Sequence, residues 1–351
     1  MDAALEALKE RIVAAHHARM PLRIHGNRTK DFHGAAIHGE PLDTRSHSGI
    51  VDYEPSELVL TARCGTSLEE IAVTLARHGQ FLAFEPPSFA GDPTLGGIVA
   101  AGLSGPRRAQ VGAVRDFVLG TRLLTAEGEL LRFGGQVMKN VAGFDVSRLL
   151  CGSLGILGLI TEVSIKVLPL PKQETTLRLP MSAAEALVAF NRWRAQPLPI
   201  SAACWFAGTT TVRLSGAPAA LAAARARIGG DPLADQAAWW NSLRNQTLPF
   251  FASATSLWRL SVPATAPLLA IPGALLMEWN GALRWHATSL PADEVRRLAT
   301  AAGGTALQWR GAVEGGMFHP LSPAVLAIHR TLKTRFDPRG IFNPGRLVAD
   351  L

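Results

Sequence analysis

Hydrophobic positions recur along this chain with two different periods, and the changes between them mark its elements. In the opening "MDAALEALKERIVAAHHARM", Leu5, Leu8 and Ile12 fall at helical spacing, which predicts a short amphipathic surface helix. "ELVLTARC" is a β-rich run ending at Cys64, and "GTSLEEIAVTLARHGQ" after it reads as a helix. Thr66 or Ser67 is placed to cap that helix, Glu69 or Glu70 to close a capping box, and Gly79 to end it. "FVLGTRLLTAEGELLRF" predicts a hairpin turning at Glu127–Gly128. "EVSIKVLPL" alternates, with Val163, Ile165 and Val167 on one face and Glu162, Ser164 and Lys166 on the other. Pro169 and Pro171 then stop the pattern, and a domain boundary is expected there.

Beyond the boundary, "ETTLRLP", "SAAEALVAFNRWRAQ", "TTTVRLSG" and "APAALAAARARIGG" read as strand, helix, strand, helix. Further strands are expected at "SLWRLSV", "ALLMEWN", "ALRWHAT" and "ALQWR", with a helix at "PADEVRRLATAAGG". The series predicts an α+β sheet with helices on one face. The tail "HRTLKTRFDPRGIFNPGRLVADL" reads as a helix and two proline-bearing turns. The expected division is a first domain over 1–171, a smaller α+β domain over 172–314, and a C-terminal segment over 315–351.

Composition narrows the possibilities. The 351 residues are 48% hydrophobic and 18% charged, enough apolar material for a full core. No apolar run approaches the roughly eighteen residues of a spanning helix. Asp2, Glu6 and Glu10 stand where a secretion signal needs basic and apolar residues, so a cytoplasmic protein is expected. Cys64, Cys151 and Cys204 are odd in number and far apart, fitting neither a disulfide framework nor a metal or iron–sulfur spacing. The net charge of +7 is spread as single arginines, without the basic and aromatic clustering of a nucleic-acid surface. Six of the eight tryptophans fall between Trp193 and Trp279, which predicts aromatic packing in the second domain.

Glycine carries the chemistry of the first domain. Inside an ordered element it costs about 0.5–1 kcal/mol relative to alanine, so its recurrence demands a close approach of backbone or ligand. Four segments show it: "PLRIHGNRTKDFHG", "GDPTLGGIVAAGLSGPRR", "GAVRDFVLG" and "GGQVMKNVAGFDVSRLLCGSLGILGLIT". In the first, successive N–H groups around Gly26–Thr29 can form an anion-binding nest, with Arg28, Thr29 and Lys30 as further donors. In the second, Gly96–Gly97 and Gly102–Gly105 would let backbone lie flat against something broad. Gly152, Gly155 and Gly158 are spaced G-x-x-G-x-x-G, which is not the Rossmann fingerprint, and no G-K-[ST] P-loop is present. These residues alone imply a large, flat, phosphate-bearing ligand. Close strand–helix packing is the competing explanation, expected to account for one or two of the glycines.

The run from "YEPSELVLTARC" through "GSLGILGLITEVSIKVLPLP" closely resembles the FAD-binding domain of the vanillyl-alcohol oxidase/p-cresol methylhydroxylase family. Within that family, "RRAQVGAVRDFVLG", "GGQVMKNVAGFDVSRLLCGSLGILG" and "FDPRGIFNPGRL" look like the FAD-binding subunits of bacterial glycolate oxidases. The resemblance covers most of residues 20–172 and returns at 336–347. It implies two small α+β subdomains holding FAD, with the pyrophosphate on Ile24, His25, Gly26, Asn27, Arg28, Thr29 and Lys30. Thr94, Leu95, Gly96 and Gly97, with Ala101, Gly102, Ser104 and Gly105, would line pyrophosphate and flavin. Gly152, Ser153, Gly155, Gly158 and Ile160 would pass along the dinucleotide, Pro86 and Gly112 would border it, and Asn343 would sit near the isoalloxazine. The family's loop is commonly R-G-G-G-T, whereas His25–Thr29 reads H-G-N-R-T, putting Asn and Arg where glycines are usual. Thr29 also stands where covalent members carry a flavin-linking histidine, which implies noncovalent FAD.

The H-x-G-D-G-N-x-H motif of many relatives acting on 2-hydroxy acids is absent, and no catalytic residue is assigned. His286, His319 and His329 lack local ligand spacing, so no metal site is expected, and Arg284, Arg310 and His319 are only weak candidates. The resemblance implies a subunit of a glycolate-oxidising complex, beside a larger FAD-linked catalytic subunit and an iron–sulfur subunit feeding quinone. Membrane association would be peripheral, through those partners. Two alternatives stay open: a self-sufficient FAD-dependent 2-hydroxy acid dehydrogenase, and a structural assembly subunit with a degenerate flavin site.

Overall fold

The computed structural model describes residues 2–36, 38–89, 91–135, 144–311, 316–349 and 351. Part of the last glycine-bearing stretch, 136–143, lies outside the described residues. Packing divides the chain into two units. Met1–Ser104, Gly112–Pro169 and Pro320–Leu351 form the first; Gly105–Val111 and Leu170–His319 form the second.

The first unit begins with α1 (Ala3–Ala18), β1 (Leu22–His25), β2 (Glu40–Asp43), β3 (Ile50–Glu54) and β4 (Val59–Arg63). It continues through α2 (Leu68–Ala76), β5 (Gln80–Phe81) and α3 (Leu95–Ala101), while α4 (Arg108–Val111) belongs to the second unit. Then follow β6 (Val118–Leu124), β7 (Leu130–Gly134), α5 (Val146–Leu149), β8 (Leu159–Lys166) and β9 (Leu168–Pro169). β1 and β2 pair in parallel, and a five-stranded antiparallel sheet runs β3-β4-β8-β6-β7. The central place of β8 explains one departure from its alternating pattern. Ser164 is buried and shares a 2.8 Å hydrogen bond with Thr61, so both faces of this strand are covered.

The expected surface helix proves to be a wall of the core. Leu5, Leu8, Ile12 and Ala15 of α1 pack with Leu22, Leu42, Leu124, Leu159 and Phe342. Asp2 caps α1 by accepting the Leu5 N–H at 2.8 Å. In α2, Ser67 is the cap, accepting the Glu70 N–H at 3.1 Å. Thr66 is committed to Gly49 instead. The Glu69 N–H goes to Asp92, so no glutamate closes a box with Ser67 among the described residues.

The second unit contains β10 (Gln173–Pro180), α6 (Ala183–Arg194), β11 (Ile200–Phe206), β12 (Thr209–Gly216) and α7 (Pro218–Ile228). After β13 (Asp231–Pro232) come α8 (Gln236–Arg244), α9 (Pro249–Ser253), β14 (Leu257–Ser261), β15 (Ala274–Glu278) and β16 (Leu283–Ala287), then α10 (Ala292–Ala301) and β17 (Thr305–Arg310). One antiparallel sheet runs β13-β10-β12-β11-β15-β16-β14-β17. Cross-strand partners share a face, and Met277, Arg284 and Leu260 are such partners. Met277 packs with α6 and α7, and Leu260 with α10, so the three longer helices cover one face. Trp240 of α8 and Phe251 of α9 meet the other, through Thr176 and Trp285.

The chain returns to the first unit in α11 (Pro323–Phe336) and its tail. Leu22 N–H donates to the Ile341 carbonyl at 2.7 Å and Asn343 N–H to the Leu22 carbonyl at 3.0 Å, extending the edge of β1. A buried ion pair shapes this return. Lys333 Nζ lies 2.7 Å from Asp337 Oδ2 and also donates to the carbonyls of Ile156 (2.7 Å) and Phe342 (2.8 Å). Asp337 in turn accepts the N–H groups of Ile341 and Phe342 at 3.0 and 2.7 Å. Burying two charges is costly unless every donor and lone pair is used, and here three donors and both oxygens are used. Asp337→Ala leaves the Lys333 ammonium buried without a counter-charge, and should cost about 3–5 kcal/mol of stability, measured by denaturant unfolding of the first unit's transition.

Candidate functional site: a cleft with open amides

A cleft in the first unit opens to solvent, with about 810 Å³ of space that includes part of that solvent. The walls are the loop after β1, the start of α3, the segment before β8, and the C-terminal tail. Of the predicted residues, Ile24 through Lys30, Thr94, Gly96, Gly97, Ala101, Gly155, Gly158, Ile160 and Asn343 all line it.

The loop is the distinctive wall. Arg28 has φ +59, in the left-handed region. Among the described residues no acceptor is set against the N–H groups of Gly26, Asn27, Arg28, Thr29 or Lys30. Asn27 and Arg28 are exposed and Gly26, Thr29 and Lys30 half-buried, so this row of N–H groups has no protein acceptor and is open to solvent or to an anion. The Arg28 guanidinium does not join that row, because its Nε bonds Asp31 Oδ2 at 2.7 Å. Asn27 Nδ2 reaches the Asp92 carbonyl at 2.6 Å. Lys30 is the cation of the site. Its Nζ contacts Thr29 Oγ1 at 3.2 Å and lies 5.7 Å from the Phe89 ring centre. No carboxylate among the described residues pairs with it, and burial lowers its pKa to about 8.

At α3 the expectation of flat, open backbone is corrected. Gly96 and Gly97 are helical, and the nearby amides are spent: Leu95 N–H on Thr66, Gly96 N–H on Cys64 and Gly97 N–H on Thr94 Oγ1. Close packing explains more of the glycines than one or two. A Cβ at Gly96 would stand 2.8 Å from Cys64 Cβ, at Gly102 2.9 Å from Gly152 Cα, and at Gly158 3.0 Å from Leu123 Cδ1. One at Gly26 would collide with Thr94. At Gly155, with φ +74, it would stand 2.8 Å from Asn343 Nδ2. Gly97 is different: only Thr94 Oγ1, at 3.2 Å, stands near its missing Cβ, and the rest of that volume opens to the cleft.

Eight predicted residues are not on the wall. Pro86 and Leu95 are buried, and Ser104 Oγ accepts the Val114 N–H at 3.0 Å. Gly105 belongs to the second unit, and Gly112 packs against Asp116. Gly152 N–H bonds the Val99 carbonyl at the end of α3, and Ser153 Oγ accepts the Gly155 N–H at 3.4 Å. Gly102 faces Gly152, so this group shapes the wall from behind.

Asn343 lines the cleft with its amide already committed. Oδ1 accepts the Ile24 N–H at 2.8 Å and Nδ2 donates to the Leu154 carbonyl at 2.7 Å. It positions two walls at once. Arg346, missed in the sequence although it stands in "FNPGRL", does the same for the loop. Its guanidinium donates to the carbonyls of Ala35, Lys30 and Asp31 at 2.6, 3.2 and 2.9 Å. Cys64 also lines the cleft, but burial pushes its thiol up to about 12, so it stays neutral.

The weak candidates of the second unit have structural partners. Arg284 is fully buried and donates to the carbonyls of Gly281, Pro267 and Ala266. Arg310 holds the carbonyls of Phe251 and Ala254, and His319 Nδ1 accepts the Ala306 N–H. His286 is buried with its pKa lowered to about 4, chiefly by desolvation, and stays neutral at pH 7. Among the described residues no cluster of three or more His, Cys, Asp or Glu could hold a metal ion.

Residues 3–134 match the family model of an FAD binding domain. The chain is 47% identical over 346 residues to glycolate oxidase subunit GlcE of Escherichia coli (strain K12), covering 99% of this chain and 98% of that one. Glycolate oxidase subunit GlcD of Bacillus subtilis (strain 168) is 33% identical over 128 residues, 36% of this chain and 27% of its own. D-lactate dehydrogenase of Anaerostipes hadrus is 30% identical over 173 residues, 49% of this chain and 36% of that one. Among solved structures, an alkyldihydroxyacetonephosphate synthase superposes with a TM-score of 0.68 at 16% identity, over 97% of this chain and 76% of that one. That likeness shows the fold.

Gly155 and Gly97, both on the cleft wall, should respond differently to alanine. Gly155→Ala puts a Cβ at a left-handed φ and against Asn343, and should destabilise the ligand-free protein by about 1–3 kcal/mol. Gly97→Ala sits in a helix with room on the cleft side, and should change ligand-free stability by less than about 1 kcal/mol. Calorimetric melts of the two variants without added ligand check the contrast.

Proposed function

Because the chain belongs to the family of glycolate oxidase subunit GlcE and carries an FAD binding domain, we propose that its cleft holds FAD noncovalently within a glycolate-oxidising complex. One observation carries the cofactor assignment: five consecutive open amides, Gly26 through Lys30, stand beside a desolvated ammonium that lacks a carboxylate partner. A pyrophosphate supplies the acceptors that those amides lack and the counter-charge that Lys30 lacks. Gly97 leaves space on the cleft wall where a side chain would intrude. Thr29 has no nucleophile suited to a covalent link with the flavin. When bound, FAD supplies two-electron redox capacity that no side chain provides.

This chain's own residues bind and orient. The nest and Lys30 fix the phosphates, Arg346 holds the nest in shape, and Asn343 fixes the spacing of the facing walls. Among the described cleft residues Cys64 is neutral, Asp31 is paired with Arg28, and His25 Nδ1 lies 3.0 Å from the Gly26 carbonyl oxygen of its own loop. Substrate oxidation therefore falls to the assembled complex, in which a larger FAD-linked subunit acts on the 2-hydroxy acid and an iron–sulfur subunit carries electrons onward to quinone. No helix among the described residues is long and apolar enough to cross a membrane, and contact with the membrane runs through the partners.

Purified chain should be yellow, and acid precipitation should release all the colour into the supernatant. Glycolate added anaerobically to this chain alone should leave the flavin oxidised, and bleaching should need the partner subunits. Rapid bleaching of the isolated chain would instead establish a self-sufficient dehydrogenase, and a colourless chain that takes up no FAD would establish an assembly role.

Lys30 gives the affinity a defined pH dependence. Burial holds its free pKa at about 8, and a bound pyrophosphate favours the charged ammonium and raises it. Binding takes up a proton between those two values. Affinity for FAD should hold steady below about pH 8 and fall above it. Fluorescence titrations from pH 6.5 to 9.5 should show that slope in the parent and lose it in Lys30→Met.

A further inference from the structure

The second unit has its own cluster of cations, on the sheet face away from α6, α7 and α10. The Arg108 guanidinium carbon lies 4.3 Å from the Trp279 ring centre, and that of Arg259 lies 5.1 Å from the same ring. Arg259 is also 5.8 Å from the Trp285 ring. Both arginines are half-buried as whole residues, and the Arg259 guanidinium itself is desolvated.

The indole between them is locked in place. Trp279 Nε1 donates to the Gly105 carbonyl at 3.0 Å, and the ring is 5% exposed. Its backbone is strained: Trp279 and Asn280 have φ +52 and +57, two successive left-handed residues that are not glycine. Such strain persists only where the surroundings impose it, and it concentrates at binding and catalytic positions.

Arg259 is the unsatisfied member. Among the described residues its guanidinium makes no hydrogen bond; it stacks on the Trp279 and Trp285 rings, with Glu278 near enough to act on it by charge alone. Burial lowers its pKa to about 10, and repulsion from Arg108 adds to that, with Glu278 acting in the opposite sense. Glu278 Oε1 is engaged by Trp285 Nε1 at 2.9 Å. Desolvated donors without acceptors, beside a like charge, are unfavourable by themselves. An anion in the plane of the guanidinium removes both penalties, and a carboxylate matches its fork with two parallel hydrogen bonds. Stacking on indole leaves the guanidinium edge available for that contact.

We propose that Arg259, stacked on Trp279 beside Arg108, binds a small organic carboxylate. The site is made of second-unit residues alone and stands independently of the FAD assignment.

The test uses the full-length purified protein at constant ionic strength, with glycolate as the probe and glycolamide, its neutral analogue, as the control. Melting temperature and tryptophan fluorescence are followed as each is titrated. Glycolate should raise the melting temperature saturably and change the fluorescence, while glycolamide and chloride do neither. Arg259→Met should weaken the glycolate response at least tenfold, and Arg259→Lys, which keeps the charge but not the fork, should give an intermediate value. Flavin absorbance is recorded in parallel, so loss of FAD binding and loss of carboxylate binding read out separately. Equal responses to glycolate and glycolamide, a chloride response equal to that of glycolate, or no response in the parent would each overturn the proposal. The parent comparison needs no variant, so it decides the matter even if Arg259→Met fails to fold; an undiminished response in a folded Arg259→Met protein would also overturn it.

Discussion

The Asn343 amide is the contact on which the first unit's cleft depends. One oxygen takes the Ile24 N–H and one nitrogen reaches the Leu154 carbonyl, so β1 and the segment before β8 are held at a fixed distance. The residue itself is buried at φ +40 and docks on Leu22 through its backbone. Behind it, Lys333 and Asp337 close every donor and acceptor of the turn that delivers it. A loss anywhere in this chain of bonds leaves a buried polar group without a partner, which costs more than the bond itself contributes. The C-terminal tail is therefore part of the cleft's frame.

That frame exists to keep something else unsatisfied. Other parts of the cleft's backbone are paired internally, including the first turn of α3 and Leu154, whose N–H goes to the Ala100 carbonyl. The exception is the Gly26–Lys30 loop, kept in its open shape by Arg346 from three carbonyls and by the Arg28–Asp31 pair. Unmet donors gathered in one place, with one desolvated ammonium beside them, are what support the proposed anionic ligand. Arg28 takes a left-handed conformation that favours glycine, and its side chain pairs with Asp31.

In the second unit the same logic acts on an aromatic platform. Trp240 packs under Arg213, and Trp279 and Trp285 under Arg259, so buried guanidiniums on this face rest on ring faces. Arg213 also has the Ser201 hydroxyl, and Arg107 has Glu174. Arg259 differs from them in making no hydrogen bond among the described residues.

The sequence by itself determined the local elements. The β10, β12, β14, β15, β16 and β17 runs, the helices α6, α7 and α10, and the hairpin at Gly128 all follow from periods and turn residues that act over a few positions. β11 escaped because "ISAACWF" has small residues where its neighbours show clear alternation, although its central place between β12 and β15 buries it. The loop at Gly26–Lys30 and the tail asparagine were legible because motif and residue type survive in one dimension. Tertiary structure alone decided which glycines face the cleft and which face protein, since a missing Cβ is read only against what stands opposite it. It also decided that the amides of α3 are spent while those of the loop are open. Hydrogen-bond satisfaction is set by partners up to hundreds of positions away, such as Asn343 for Ile24, and no local pattern encodes that distance.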